Sequence, residues 1–380
     1  MARYAMMRIL HLLGAAEDTG GILTVLRNLQ TATAAQGLEH VVWVNAAYRE
    51  VRRPALQYRV SRHLIQDSFN HLELAWRAWR SSGELRALRR REHFDILHAH
   101  GRGGFLVALA LATLERETVV FTNHGYARRR GLYRFAAGRR NLLTCLLTPN
   151  MARHYGLQPG APNLHIISAC CADDFFTRPL VRSAPVSGDG PVRLIGLGNI
   201  VGWKNWHLVL EALARLPAAE RRRLVFEHWG PVPAEPESLA YDVDLKQILA
   251  RHGLVDCCHF RGLSLNVEEP LRAADWFVLP STNEPCSVAL IEALALGLPA
   301  VVSASGGNVD IVRAEKTGLF FEPDNVASLA ACLGRLARGE VSMLPPAEIR
   351  ETVRERGATA VAAAYARVYA QARTGGASHR

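Results

Sequence analysis

The sequence predicts an α/β chain of two doubly wound domains, and three observations carry that prediction. Short apolar runs ending in glycine-rich or polar loops alternate with helical segments along most of the chain. A stretch rich in Pro, Ser and Gly, residues 177–191, separates two such series. The length, 380 residues, suits two domains. The expected division is 1–176, a linker 177–191, a second domain 192–345 and a C-terminal segment 346–380.

The first strand is Ile9-Leu10-His11-Leu12-Leu13, too short for a signal-peptide core. A loop through Glu17-Asp18-Thr19 reaches Gly20-Gly21, and a helix follows from about Ile22, with Leu23, Leu26 and Leu29 at helical spacing. A glycine pair at such a turn lets backbone N–H groups approach an anion, or makes a plain tight turn. Val41–Val44 is the next strand. Residues 49–92 read as a long Arg-rich segment with helical content, Leu72, Ala75, Trp76 and Trp79 falling on one side. Its cations, including Arg89-Arg90-Arg91, make either a solvated face or a surface for an anionic membrane or acceptor. No nucleic-acid-binding pattern accompanies them, so no nucleic-acid partner is expected.

Asp95–Gly101 and Val119–Gly125 are strands running into glycine turns. They place His98, His100 and His124 near strand C-terminal ends, where ligands gather in open α/β sheets. Arg128-Arg129-Arg130 follows, then a short strand near 143–147, and His165–Ser168 closes the first domain.

In the second series the strand Val192–Leu197 leads through Gly198-Asn199 and Lys204 into a helix carrying Leu208, Leu210, Leu213 and Leu216. Leu224–His228 and Cys258-His259-Phe260 are further strands, the latter followed by Arg261-Gly262. Trp276–Leu279 ends at Pro280, and the loop Ser281–Pro285 holds Glu284. The run Val288–Leu296 should be a buried helix, with Gly297 in the left-handed C′ position and Pro299 beyond it. Glu292 lies in its middle with no polar sequence neighbour, and an ionised carboxylate there needs a partner. Residues 346–371 read as helical, and Thr374–Arg380 as a frayed tail.

Residues 1–180 hold 24 Arg, no Lys and 13 acids, a net charge of +11, whereas the remaining 200 residues balance to −1. The charge of the first half points to an anionic partner or surface there. The seven cysteines have neither zinc nor disulfide spacing, which implies a reducing cytosol and no structural metal. No stretch is long and apolar enough to span a bilayer.

The stretch Pro280–Pro299, with Gly297-Leu298-Pro299-Ala300-Val301-Val302 and Ser305-Gly306-Gly307-Asn308 after it, resembles the E-x7-E signature of retaining GT-B glycosyltransferases, most closely family 4. The resemblance extends over most of the chain. It implies two Rossmann-like domains facing a cleft, the first binding the acceptor and the second a nucleotide sugar, with a C-terminal helix crossing back to the first. It further implies that Glu292 binds the ribose diol and Glu284 the sugar hydroxyls. Backbone groups of Cys286, Ser287 and Val288 would face the diphosphate, Lys204 would stabilise the leaving group, and Arg261-Gly262 would lie beside the base. Gly20-Gly21 would lie against phosphates and acceptor, and His124, in a T-x-H-G element, would border the acceptor pocket.

The sequence departs from the family pattern at four places. Asn199 replaces an Arg, Trp229-Gly230-Pro231 replaces a glycine pair, Glu284-Pro285-Cys286-Ser287 replaces Glu-Gly-Phe-Gly, and Asp310 stands for a Glu. The implied activity is retaining, metal-independent and cofactor-free transfer to a glycan or lipid-linked acceptor. Its setting would be bacterial surface-polysaccharide or lipopolysaccharide synthesis, in the cytoplasm or peripherally on the inner face of the membrane. The alternatives are a nucleotide-sugar epimerase of the same fold and a non-catalytic, membrane-associated scaffold that binds nucleotide sugars.

Overall fold

The computed structural model describes residues 7–64, 70–180 and 190–377. The chain forms two compact units, one running to Cys170 and resuming at Ala358, the other Cys171–Gly357. The first unit therefore ends a little earlier than the sequence suggests. Most of the expected linker (181–189) lies outside the described residues, as do Met1–Met6, 65–69 and 378–380.

The first unit holds seven parallel strands, β1 (Met7–Leu12), β2 (Leu38–Asn45), β3 (Gln57–Ser61), β4 (Ile96–His100), β5 (Val119–Asn123), β6 (Leu142–Leu146) and β7 (Leu164–Ile166). Their order, β3-β2-β1-β4-β5-β6-β7, reverses direction between β1 and β4. Strand alternation gives this sheet two unlike faces. Leu10, Leu12, Val41, Trp43, Leu97, Ala99, Val119 and Phe121 line an apolar core with Phe105, Val107 and Leu85. The residues between them include His11, His40, His98, His100 and Thr122, all buried. The helix Ala358–Ala377 belongs to this unit, and its Tyr369 and Tyr365 hydroxyls meet His98 Nδ1 (2.9 Å) and Thr122 Oγ1 (3.0 Å).

The Arg-rich segment is more than a helix. Residues 57–61 form β3, an edge strand the sequence reading did not anticipate, and the helix is His71–Arg89. It buries Leu74, Ala78, Ser81 and Leu85, whereas Leu72, Trp76 and Trp79 are 84%, 50% and 70% exposed. Several of its cations are paired: Arg89 forks onto Glu117 at 2.7 and 2.9 Å, and Arg59 onto Glu92 at 2.6 and 2.8 Å. Arg90, Arg91 and Arg128–Arg130 are exposed.

The second unit holds β8 (Val192–Leu197), β9 (Leu224–Trp229), β10 (Cys258–Phe260), β11 (Trp276–Leu279), β12 (Ala300–Ser303) and β13 (Gly318–Phe321), again all parallel. Their order is β10-β9-β8-β11-β12-β13, so the reversal falls between β8 and β11. Trp206, Phe226, Val278, Leu319, Phe321 and Leu333 lie in one core. The helix Pro346–Glu351 stays with this unit, so only the last helix returns to the first. That last helix runs through Ala377, where fraying was expected from Thr374. All seven cysteines are free thiols, and no described helix is long and apolar enough to cross a membrane.

Candidate active site

In open parallel sheets the crevice for a ligand opens where the strand order reverses, at the strands' C-terminal ends. In the second unit that place is the pair of loops after β8 and β11. The loop after β8 tightens into a 3-10 turn, Gly202–Lys204, which ends on Asn205 in a left-handed conformation (φ 57°). The turn delivers Lys204. The loop after β11 delivers Glu284, and Lys204 Nζ donates to Glu284 Oε2 at 2.5 Å. Only about a tenth of either side chain is exposed. Lys204 Nζ also sits over the ring of Trp203, 4.6 Å from its centroid.

Three residues that the sequence reading passed over join the two loops. Asn205 Nδ2 donates to Thr282 Oγ1 (2.8 Å) and Asp324 Oδ1 (2.9 Å), and Thr282 Oγ1 donates to the same Asp324 oxygen (2.7 Å). From behind, Gly307 N donates to the Glu284 carbonyl at 2.7 Å. Gly306 has φ +58°, and a Cβ there would lie 2.4 Å from that carbonyl oxygen. Glycine at 306 is thus required by close backbone approach to Glu284.

The helix after this loop is Val288–Ala295, capped by Ser287, whose hydroxyl accepts from Leu290 N at 3.2 Å. The first N–H groups of a helix lack intrahelical partners and favour negative charge, so this end suits an anion. Glu292 is buried among Leu290, Ile291, Ala293 and Leu294. It is not isolated, as its sequence neighbours suggested: it takes part in an interaction within the protein. Asn199 is half-buried, and its carbonyl accepts from Trp206 Nε1 at 3.1 Å. Arg261 pairs with Glu227 at 2.6 Å on the surface, and Gly262 turns the chain with φ +76°. His228, also unanticipated, lies buried against Trp206, and burial pushes its pKa down to about 3.

In the first unit Gly20 (φ +88°) precedes the helix Gly21–Thr33, and both glycines are exposed. The loop before them is anchored by buried Asp18, which accepts from Val51 N, Arg52 N and Arg27. His124 follows β5 and is bonded to His100, the first link of a file of imidazoles. His124 Nε2 meets His100 Nδ1 (2.9 Å), His100 Nε2 meets His11 Nδ1 (3.0 Å), and His11 Nε2 meets His40 Nδ1 (2.8 Å). The sequence reading set His98 and His100 aside in favour of His124, and it gave no role to His11 or His40. His11, His98 and His100 bring ring nitrogens within 4.8 Å of one another, the one such cluster among the described residues with metal-binding potential. Their nitrogens are already hydrogen-bonded to one another, to His40, His124, Tyr369 or Thr122.

Burial holds these histidines neutral. It pushes His40 and His124 down to about 4, and His11, His98 and His100 well below the usual value. The unfolded chain takes up protons near pH 6.5, so stability is complete above that pH and declines as pH falls toward 4. Each such histidine contributes a slope of up to about 1.4 kcal/mol per pH unit. Urea denaturation between pH 7.5 and 5, above most carboxylate titration, is expected to show a steep loss. A flat profile would contradict neutral burial.

Two family models match the chain: "Glycosyltransferase Family 4" over residues 19–154 and "Glycosyl transferases group 1" over residues 178–357. Among curated relatives, the lipopolysaccharide core biosynthesis mannosyltransferase LpsB of Rhizobium meliloti is 26% identical over 62% of this chain and 66% of its own. The amylovoran biosynthesis glycosyltransferase AmsK of Erwinia amylovora is 33% identical over 41% of this chain and 38% of its own. The chain thus spans between about a third and two thirds of the relatives it matches. Among solved structures, a sucrose-phosphate synthase from Thermosynechococcus elongatus superposes with a TM-score of 0.74 at 17% identity, covering 96% of this chain and 98% of that one. Anabaena HepE, solved with UDP and glucose, gives 0.71 at 16% over 96% and 100%. At those identities the likeness speaks for the fold. The two family matches account for most of the chain, and it belongs to the family 4 glycosyltransferases, with the GT-B fold.

Proposed function

We propose that the protein transfers a sugar, with retention of anomeric configuration, from a nucleoside-diphosphate sugar to a hydroxyl of a glycan or lipid-linked acceptor. The setting would be surface-polysaccharide or lipopolysaccharide synthesis at the cytoplasmic face of the membrane. The observation that carries this reading is the enclosed Lys204–Glu284 pair at the reversal point of the second sheet, with Glu292 on the helix behind it. The names of LpsB, AmsK and WcaL, the last a putative colanic acid glycosyltransferase, support the setting.

On this reading the sugar hydroxyls meet Glu284, the ribose diol meets Glu292, and the leaving diphosphate meets Lys204 and the helix N-terminus at Ser287 and Val288. These groups supply positive potential without a metal ion. Asn199 contributes a hydrogen bond where the family has a charge. The acceptor attacks from the face the diphosphate leaves, and the departing phosphate takes the acceptor's proton.

Product formation from a panel of nucleotide sugars, with and without acceptor, tests the activity. Lys204→Gln keeps a hydrogen-bond donor for Glu284, so folding should persist, and turnover should fall about 100- to 1,000-fold. Glu292→Ala should weaken donor binding in calorimetry more than Glu292→Gln. Parental turnover in the first variant and parental affinity in the second would overturn the assignments.

The first unit's charge and the exposed Leu72, Trp76 and Trp79 support contact with anionic lipid. Arg80 lies 5.8 Å from the Trp76 ring centroid, so the apolar stripe carries a cation within it. Each basic residue near such a surface contributes about 1 kcal/mol, and salt screens it. The full chain is expected to sediment with anionic but not neutral vesicles, and less at physiological salt. Trp76→Ser with Trp79→Ser, or Arg90→Gln with Arg91→Gln, should release it without loss of donor binding. Equal sedimentation with both vesicle types would remove the charged surface from the account.

A further inference from the structure

The file of histidines in the first unit has a direction, set at its inner end. Thr33 Oγ1 lies 2.7 Å from the Leu29 carbonyl, which can only accept, so the threonine's one hydroxyl hydrogen is committed there. The same oxygen is 3.1 Å from His40 Nε2 and must accept from it. A neutral imidazole has one N–H and one lone pair, so His40 Nδ1 is then an acceptor. His11 Nε2 therefore donates to it, which leaves His11 Nδ1 to accept from His100 Nε2. His100 Nδ1 in turn accepts from His124 Nε2. Every ring in the file is an Nε2–H tautomer, and the outermost, half-buried His124 carries its lone pair on Nδ1. Among the described residues that nitrogen meets no hydrogen-bonding partner. Burial keeps all four rings uncharged at neutral pH, as this assignment requires.

We propose that Thr33, His40, His11 and His100 are positioning residues that fix His124 as a hydrogen-bond acceptor at Nδ1, so that it takes the hydrogen of a substrate hydroxyl and disfavours an anionic group. The proposal deepens the reading above and rests on the acceptor pocket beside which the family resemblance puts His124. A neutral acceptor nitrogen offers nothing to a phosphate or carboxylate oxygen, whereas it pairs with any sugar hydroxyl. The rings are coupled, because reversing one N–H obliges the next to reverse. Thr33, at the buried end, therefore governs the chemistry of a nitrogen it does not touch.

Ring-nitrogen NMR of the 15N-histidine-labelled full chain at neutral pH tests this. In the parent, His124 is expected to show a protonated Nε2 and a bare Nδ1. Thr33→Val removes the acceptor for His40 Nε2–H, so the file should turn over and population should move to His124 Nδ1–H. Sugar transfer should then fall about tenfold in kcat, the scale of one lost hydrogen bond, with donor KM within about twofold. Thr33→Ser should restore both. A proton on Nδ1 or a doubly protonated ring in the parent would overturn the proposal, as would a parental tautomer in Thr33→Val. Stoichiometric zinc bound by His11, His98 and His100 would also overturn it, since metal would consume the lone pairs that the file uses. A tautomer shift with unchanged turnover would remove His124 from the acceptor site and leave the file's direction established.

Discussion

The ion pair between Lys204 and Glu284 is the constraint on which the second unit's site depends. Two charges enclosed this far lose most of their hydration, and their attraction offsets that loss only if both are held in place. The protein holds them through neighbours. Asn205, one residue beyond Lys204, reaches across to Thr282 and Asp324, which fixes the two loops against each other. Gly306 and Gly307 press on the backbone of Glu284 from the far side. The charges are thus already dehydrated and oriented before any ligand arrives. An anion entering there competes with a carboxylate for one ammonium, and has little water to displace from it.

How much of this was legible in the sequence depends on the range of each signal. Glu284, Glu292, Ser287 and the glycine pair lie within one strand–loop–helix–strand unit, so a resemblance confined to one short stretch located them. The Asn205–Thr282–Asp324 junction joins positions 77 and 119 residues apart, and small polar loop residues carry no period to betray it. The strand β3 was hidden by its polar residues Gln57, Arg59 and Ser61, because edge strands need no continuous apolar run. The exposure of Trp76 and Trp79 was hidden because a helical stripe does not say which way it faces; Leu74, Ala78, Ser81 and Leu85 took the core.

The histidines illustrate a different limit. His98 and His100 were visible as alternate residues of one strand, and such residues share a face. What joins them to His11 is the pairing of β1 with β4, with His11 level with His98. Register between strands 87 residues apart is a property of the folded sheet. One face of this sheet thus carries a layer of neutral imidazoles and hydroxyls where the other carries hydrocarbon. Such a polar layer is tolerable when its members satisfy one another.

The last helix bears on how the chain is made. Tyr365 and Tyr369 complete the polar face begun by His98 and Thr122, yet they are synthesised after the whole of the second unit. A ribosome that has released residues up to Cys170 has released an unfinished layer: seven strands with two of their hydroxyl partners still unmade. Domains generally fold in order of emergence from the ribosome, but the polar layer of this first unit is completed only by residues made after the second. The helix Ala358–Ala377 is therefore a clasp on the first unit, closed only after the second has been made.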